Sequence, residues 1–170
     1  IVTADKPIAM FGASACTLRN YNETACDHVE EQLFPFVIWG KLFVAGRTAP
    51  LRLTNNQFAT SANAGPDYYK IVAGCPTATC PNGTLLTLSA PPATGDVLPN
   101  GGGCEPGTSL TANNCRLRGG RFIEFRSKTS FTISANQPIQ VAQMFAGQNA
   151  TTGTTRPSQG DPSLVLLPPV

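Results

Sequence analysis

At 170 residues the chain is long enough to bury the core of one domain and short for two. Charged residues are 13% of it and the net charge is +2, with both signs scattered, which excludes the strong positive field of a nucleic-acid-binding protein. The 16 glycines and 15 prolines leave little room for long helices. The most apolar stretch, 33–44, is broken by Pro35, Gly40 and Lys41, well short of the ~20 residues that span a bilayer, so no transmembrane segment is expected.

The chain opens on a strand-like Ile1-Val2-Thr3, with neither an initiator Met nor a signal peptide, as expected of a mature product or a piece of something longer. β-Branched and aromatic residues between turn formers predict strands at Ile8 to Phe11, Val37 to Val44, Leu51 to Leu53, Tyr68 to Val72 and Leu85 to Leu88. Further strands are predicted at Arg121 to Phe125, Phe131 to Ser134, Ile139 to Phe145 and Leu164 to Leu167. Alternation is clearest near the C-terminus, where Phe131 and Ile133 share one face and Ile139, Val141 and Phe145 line one side. One segment differs: Asp27 and Glu30 have capping-box spacing, which predicts a short helical turn over Asp27 to Leu33, stopped by Pro35. Many short strands with Gly/Pro turns make an all-β fold, an antiparallel β-sandwich, with a barrel or propeller-like array as the alternative.

Within this single domain, 1–170, the stretch Cys75 to Cys115 stands apart: it is rich in Gly and Pro, contains Gly101-Gly102-Gly103 and holds most of the cysteines. It is expected to be a long disulfide-stapled loop insertion with Leu85 to Leu88 as a small strand, and such loops commonly carry recognition. The cysteines are even in number, Cys16, Cys26, Cys75, Cys80, Cys104 and Cys115, in a chain with one His and no C-x-x-C pair, so disulfides are favoured over a metal site. Spacing leaves several connectivities open; the simplest pairs neighbours, Cys16 with Cys26, Cys75 with Cys80 and Cys104 with Cys115. Sequons at Asn22, Asn82 and Asn149 are candidate glycosylation sites, and together with the cysteines they point to an extracellular or cell-surface location.

The two ends echo each other. Ala4-Asp5-Lys6-Pro7-Ile8 recurs as Ala135-Asn136-Gln137-Pro138-Ile139, and Asp27 followed by Leu33-Phe34-Pro35 recurs as Asp161 followed by Leu167-Pro168-Pro169, at offsets of 131 and 134. Such a period suggests one complete unit plus the opening of another from a tandem array, or equivalent strands given to two related sheets.

Several segments carry a family resemblance: Thr3-Ala4-Asp5-Lys6-Pro7-Ile8-Ala9-Met10-Phe11-Gly12, Cys16, Cys26-Asp27-His28-Val29-Glu30-Glu31-Gln32-Leu33 and Trp39-Gly40-Lys41 near the N-terminus, then Arg121 to Phe125, Ile133-Ser134-Ala135, Pro138 to Gln143, Gly160-Asp161-Pro162-Ser163 and Leu167-Pro168-Pro169. Over roughly half its length the sequence resembles the IgGFc-binding protein N-terminal domain family, especially its bacterial secreted members; the Cys-Asp-His-Val-Glu-Glu-Gln run is the most specific match, and Cys75 to Cys115 has no place on the pattern. The resemblance implies an extracellular, repeat-built, non-enzymatic surface or mucus-associated protein with Cys16 bonded to Cys26. Immunoglobulin binding is not carried over, because no motif for it is defined in these residues.

Four constellations could carry chemistry. Asp27, Glu30 and Glu31, beside His28, could offer oxygen ligands to calcium, but in extended geometry such side chains diverge and carboxylates in a tethered loop ordinarily accept backbone N–H bonds. No metal and no cofactor is therefore expected. Arg116, Arg118, Arg121, Arg126 and Lys128 could present a stripe to sulfated glycans, although a solvated strand face explains them as well. Phe34, Phe36, Trp39 and Phe43 suggest core packing before a glycan platform. His28 lacks the partners of a catalytic triad and no G-x-S-x-G is present, so catalysis is not expected.

The expectation is a non-enzymatic structural or adhesive module of a secreted or cell-surface protein, assembling into a fibre or array. It would meet other copies or tandem neighbours through sheet edges near Ile1 to Phe11 and Leu164 to Val170. The alternative is a domain that binds glycans or glycoproteins through its 75–115 loops. A two-carboxylate glycosidase is the remaining enzymatic alternative, its acid separation being a spatial quantity.

Overall fold

The computed structural model describes residues 2–17, 27–49, 65–76, 78–145 and 163–170, and the predicted strand Leu51 to Leu53 lies outside them. The described strands are β1 Phe11–Thr17, β2 Asp27–Gln32, β3 Gly40–Ala45, β4 Asp67–Ala73, β5 Thr84–Leu88, β6 Val97–Gly102, β7 Cys115–Leu117, β8 Phe122–Ser127, β9 Phe131–Met144 and β10 Leu164–Leu166. Helical structure is confined, among the described residues, to 3-10 turns at Phe36–Ile38 and Thr94–Asp96. All pairings are antiparallel.

β9 is the spine of an eight-stranded sheet. Along one edge its first half pairs with β3 (Phe43 opposite Ile133) and its second half with β10 (Val165 opposite Gln143). Along the other edge it pairs first with β5 (Leu88 opposite Ile133) and then with β4 (Ile71 opposite Val141), which continues the sheet through β8 to β6. Because β4 and β5 leave the same edge in different directions, the sheet curls into a half-barrel whose two wings face each other as the layers of a sandwich do. β1 and β2 form a separate two-stranded ribbon.

The period of two places the core. Phe131, Ile133, Ile139 and Val141 of β9 point inward with Tyr69 and Ile71 of β4, Leu86 and Leu88 of β5, and Ile123 and Phe125 of β8, all within a few per cent of full burial. Tyr69 sits between the wings, its ring centroid 5.5 Å from Phe125 and 4.9 Å from Phe131. On the back of the sheet Tyr68, Leu98 and Met144 form a smaller cluster against Leu164.

Three local expectations change. The segment beginning at Asp27 is a strand and not a helical turn: its register with β1 (Ala13 opposite Glu30, Ser14 opposite Val29) overrides the capping-box spacing, and Val29 is buried at 8% exposure. The two strands predicted on either side of Pro138 are one strand, β9. Pro138 lies at the fork where β5 ends its pairing at Ala135 and β4 begins at Ile139; its carbonyl still accepts the Gly74 N–H at 3.0 Å, so only the reciprocal bond at the end of the ladder is missing. The apolar segment before β3 does not pack as a unit. Phe43 is in the core, but Val37 is 85% exposed, while Phe36 and Trp39 meet edge to face above Gly74.

The stretch 75–115 holds both described disulfides and also β5, β6 and the 94–96 turn. Its Leu86, Leu88, Leu110 and Cys115 are part of the main core.

Candidate functional site

The two described disulfides lie where the chain leaves the β4–β8–β6 wing for the β5–β7 wing. Cys75, just after β4, is bonded to Cys80 with Cα atoms 6.0 Å apart, and Cys104 is bonded to the fully buried Cys115 of β7 at 5.2 Å. Cys16 lies on β1 and has no free thiol, while Cys26 lies outside the described residues. Of the sequons, Asn82 occupies an exposed turn, where its carbonyl accepts a bond from the Arg116 guanidinium; Asn22 and Asn149 lie outside the described residues.

The charged constellations are dispersed or compensated. On β2, Glu30 and Glu31 are consecutive in a strand and so project to opposite faces, with His28 Nε2 3.3 Å from the Glu30 carboxylate. Among the described residues no three His, Cys, Asp or Glu side chains converge as metal ligands. Arg118 pairs with Glu105 at 2.8 Å, Arg126 with Asp96 at 2.7 Å and Lys70 with Glu124 at 3.0 Å, the last ammonium also lying over the Phe122 ring. The hydrogen bond to Asp96 raises the Arg126 pKa further above its ordinary value. The basic stripe is thus broken by carboxylates, leaving Arg121 and Lys128 exposed beside it. A shallow groove of about 230 Å³ runs beside the Cys104–Cys115 bridge, lined by Thr94, Val97, Thr108, Ser109, Leu110 and Thr111 among others, with no carboxylate in its wall. It lacks the two facing acids of a glycosidase.

A buried polar cluster gave no sequence signal. Asp67, 2% exposed at the start of β4, accepts the Thr48 backbone N–H at 2.8 Å, the Thr48 hydroxyl at 2.6 Å and the Gln143 side-chain amide at 3.2 Å. Gln143 also donates to the Gly46 carbonyl at 2.8 Å. The cluster ties the end of β3 to β4 and β9, a structural task that long-range pairing alone reveals. Beside it the Tyr69 hydroxyl is buried with no partner among the described residues.

The surface most open to a partner is the ribbon. Among the described residues β1 pairs with β2 alone, so its outer edge is unpaired. Val2, Ile8 and Phe11 are 60%, 57% and 59% exposed, with Met10 and Leu33 also uncovered. A two-stranded ribbon is marginal by itself, and this one rests on the remainder of the fold mainly where β2 lies against β10.

A disulfide-bonded all-β fold with an open strand edge beside apolar residues, among the described residues, is the build of a binding module from an oxidising compartment, and no described helix is long and apolar enough to cross a membrane. The family model described as IgGFc binding protein matches residues 1–170, and the chain belongs to that family. No curated protein and no solved structure matches it.

Proposed function

We propose that the chain is a non-enzymatic extracellular module of a secreted or cell-surface protein, structural or adhesive in role, that joins other units through sheet edges. The open edge of β1 beside the uncovered Ile8, Met10 and Phe11 carries this reading, since an unpaired apolar strand is a template for strand addition. The family description names binding to a protein, which favours a protein partner over a small molecule. Sedimentation of the purified chain tests it: association that rises with concentration and is weakened by Met10→Lys is expected, whereas monomers at every concentration, seen also by electron microscopy, would overturn the assembly role.

The glycan-binding alternative rests on the hydroxyl-rich groove by Cys104–Cys115. Removing 75–115 cannot test it, because that stretch supplies Leu86, Leu88 and Leu110 to the core. Substitutions at the exposed Thr94 and the half-buried Thr111, with a glycan array, are the appropriate probe: array binding lost in both variants supports the site, and no binding by the unaltered chain removes it.

A further inference from the structure

The ribbon β1–β2 and the closing pair β9–β10 are the same object. At the offsets of the sequence echo, Phe11 opposite Gln32, Gly12 opposite Glu31 and Ala13 opposite Glu30 correspond to Ala142 opposite Leu166, Gln143 opposite Val165 and Met144 opposite Leu164, and all of these pairs form. The agreement continues past the strand ends: the Leu33 N–H donates to the Met10 carbonyl at 2.8 Å, and the Leu167 N–H donates to the Val141 carbonyl at 2.9 Å. Since a slip of one residue would reverse every side chain, a shared register at the offsets set by the flanking sequence motifs marks a structural repeat.

Burial separates the two copies. Val2, Ile8 and Met10 correspond to Ile133, Ile139 and Val141. The latter three are 0% exposed, whereas Val2, Ile8 and Met10 are 60%, 57% and 37% exposed. The β9 residues are flanked on the β10 edge by β3 opposite Ile133 and Ile139, and on the edge away from β10 by β4 along the second half and β5 along the first. The equivalent edge of β1 is the one left unpaired among the described residues. A polar detail repeats as well: the Asn136 side-chain oxygen accepts the Leu85 N–H of β5 at 2.8 Å, and Asp5 places a carboxylate at the corresponding position.

We infer that β1–β2 is the closing hairpin of another unit of this same fold, placed before the unit β3–β10 in a tandem array, and that the open edge of β1 receives the β4-type and β5-type strands of that unit. Its register follows from β9: Ile8 faces the position of Ala73, Met10 that of Ile71 and Gly12 that of Tyr69, while Val2, Ile8 and Met10 fill that unit's core. The ribbon thus ends a unit and does not open one. The hairpins differ on their second strands, where β2 has Glu30 and Gln32 in place of Leu164 and Leu166, so the back of the other unit is more polar there, and Glu31 takes the place of Val165 on the opposite face. This inference deepens the joining role proposed above by naming the joining strand.

The test joins a second copy of residues 36–131 ahead of Ile1 of the full chain, so that its only closing hairpin is β1–β2. The N–H groups of Ala9, Phe11 and Ala13 point away from β2, because Met10 bonds toward it and alternate residues face opposite edges. In the unextended chain these amides exchange with solvent quickly; in the extended protein they slow to the rates of Gln140, Ala142 and Met144, and Met10→Asp abolishes the slowing without unfolding β3–β10. A control carries a complete second copy, residues 36–170, ahead of residue 34. Unchanged exchange at Ala9, Phe11 and Ala13, or a hybrid that stays unfolded when the control folds, overturns the inference. Failure of the unextended chain to associate in sedimentation would overturn only assembly between separate chains.

Discussion

Thr48 delivers both its backbone N–H and its hydroxyl to the buried carboxylate of Asp67, at 2.8 and 2.6 Å. Asp67→Ala strands those donors and the Gln143 amide in a dry site, so a loss of about 3 kcal/mol is expected. Asp67→Asn keeps one acceptor and should lose about 1 kcal/mol. Urea unfolding followed by circular dichroism decides it; equal stability of the Ala variant would mean that water replaces the carboxylate.

The Tyr69 hydroxyl sits a short way from this cluster and is buried without a partner among the described residues. Burial, and secondarily the Asp67 charge, push its pKa well above the ordinary value of 10.0, with Arg47 opposing. The protonated phenol is favoured in the fold, so its contribution to stability is complete below about pH 10 and is lost as pH rises from there toward the raised folded value. Tyr69→Phe should be neutral or stabilising by up to about 1 kcal/mol at pH 7, and should flatten the alkaline decline in stability. Unfolding curves from pH 8 to 11 for both proteins are the measurement.

The disulfides differ in reach. Cys104–Cys115 closes the longer loop, with a sequence separation of 11 against 5 for Cys75–Cys80. Chain entropy predicts losses of about 3 and about 2 kcal/mol respectively when each pair is replaced by alanines, and the full burial of Cys115 adds a packing loss to the first. Thermal melts of the two double variants should rank in that order; the reverse ranking would contradict it.

A side chain at Gly74 would strike the rings of Phe36 and Trp39, because the tryptophan is drawn down by its indole N–H bond to the Phe34 carbonyl at 3.0 Å. Gly74→Ala should lift both rings off the sheet, red-shifting the emission of the single tryptophan and costing about 1–2 kcal/mol. An unmoved emission maximum would show that the backbone yields instead.

The parts of the fold legible in the sequence are those with local cause. Tyr68 to Val72 and Leu85 to Leu88 announce strands as short apolar runs between turn formers, and the residues around Phe131 do so by alternation at a period of two. β2 was hidden because Asp27 and Glu30 imitate a helix start, and only pairing with β1 settles the matter. β6 was hidden because Pro99 and Gly101-Gly102 read as a turn, whereas an edge strand accepts both. The Asp67 cluster joins residues from three elements and leaves no local mark. For the ribbon the sequence held the repeated motif, while the register it shares with β9–β10 lies in the pairing and leaves no local mark.

β9 binds four other strands with one unbroken alternation. Gaining or losing a single residue between Phe131 and Met144 would turn Phe131 or Val141 out to solvent and dislocate every neighbour together. Related sequences should therefore vary freely in the length of their turns while holding this stretch at constant length, which makes it the natural ruler for aligning them.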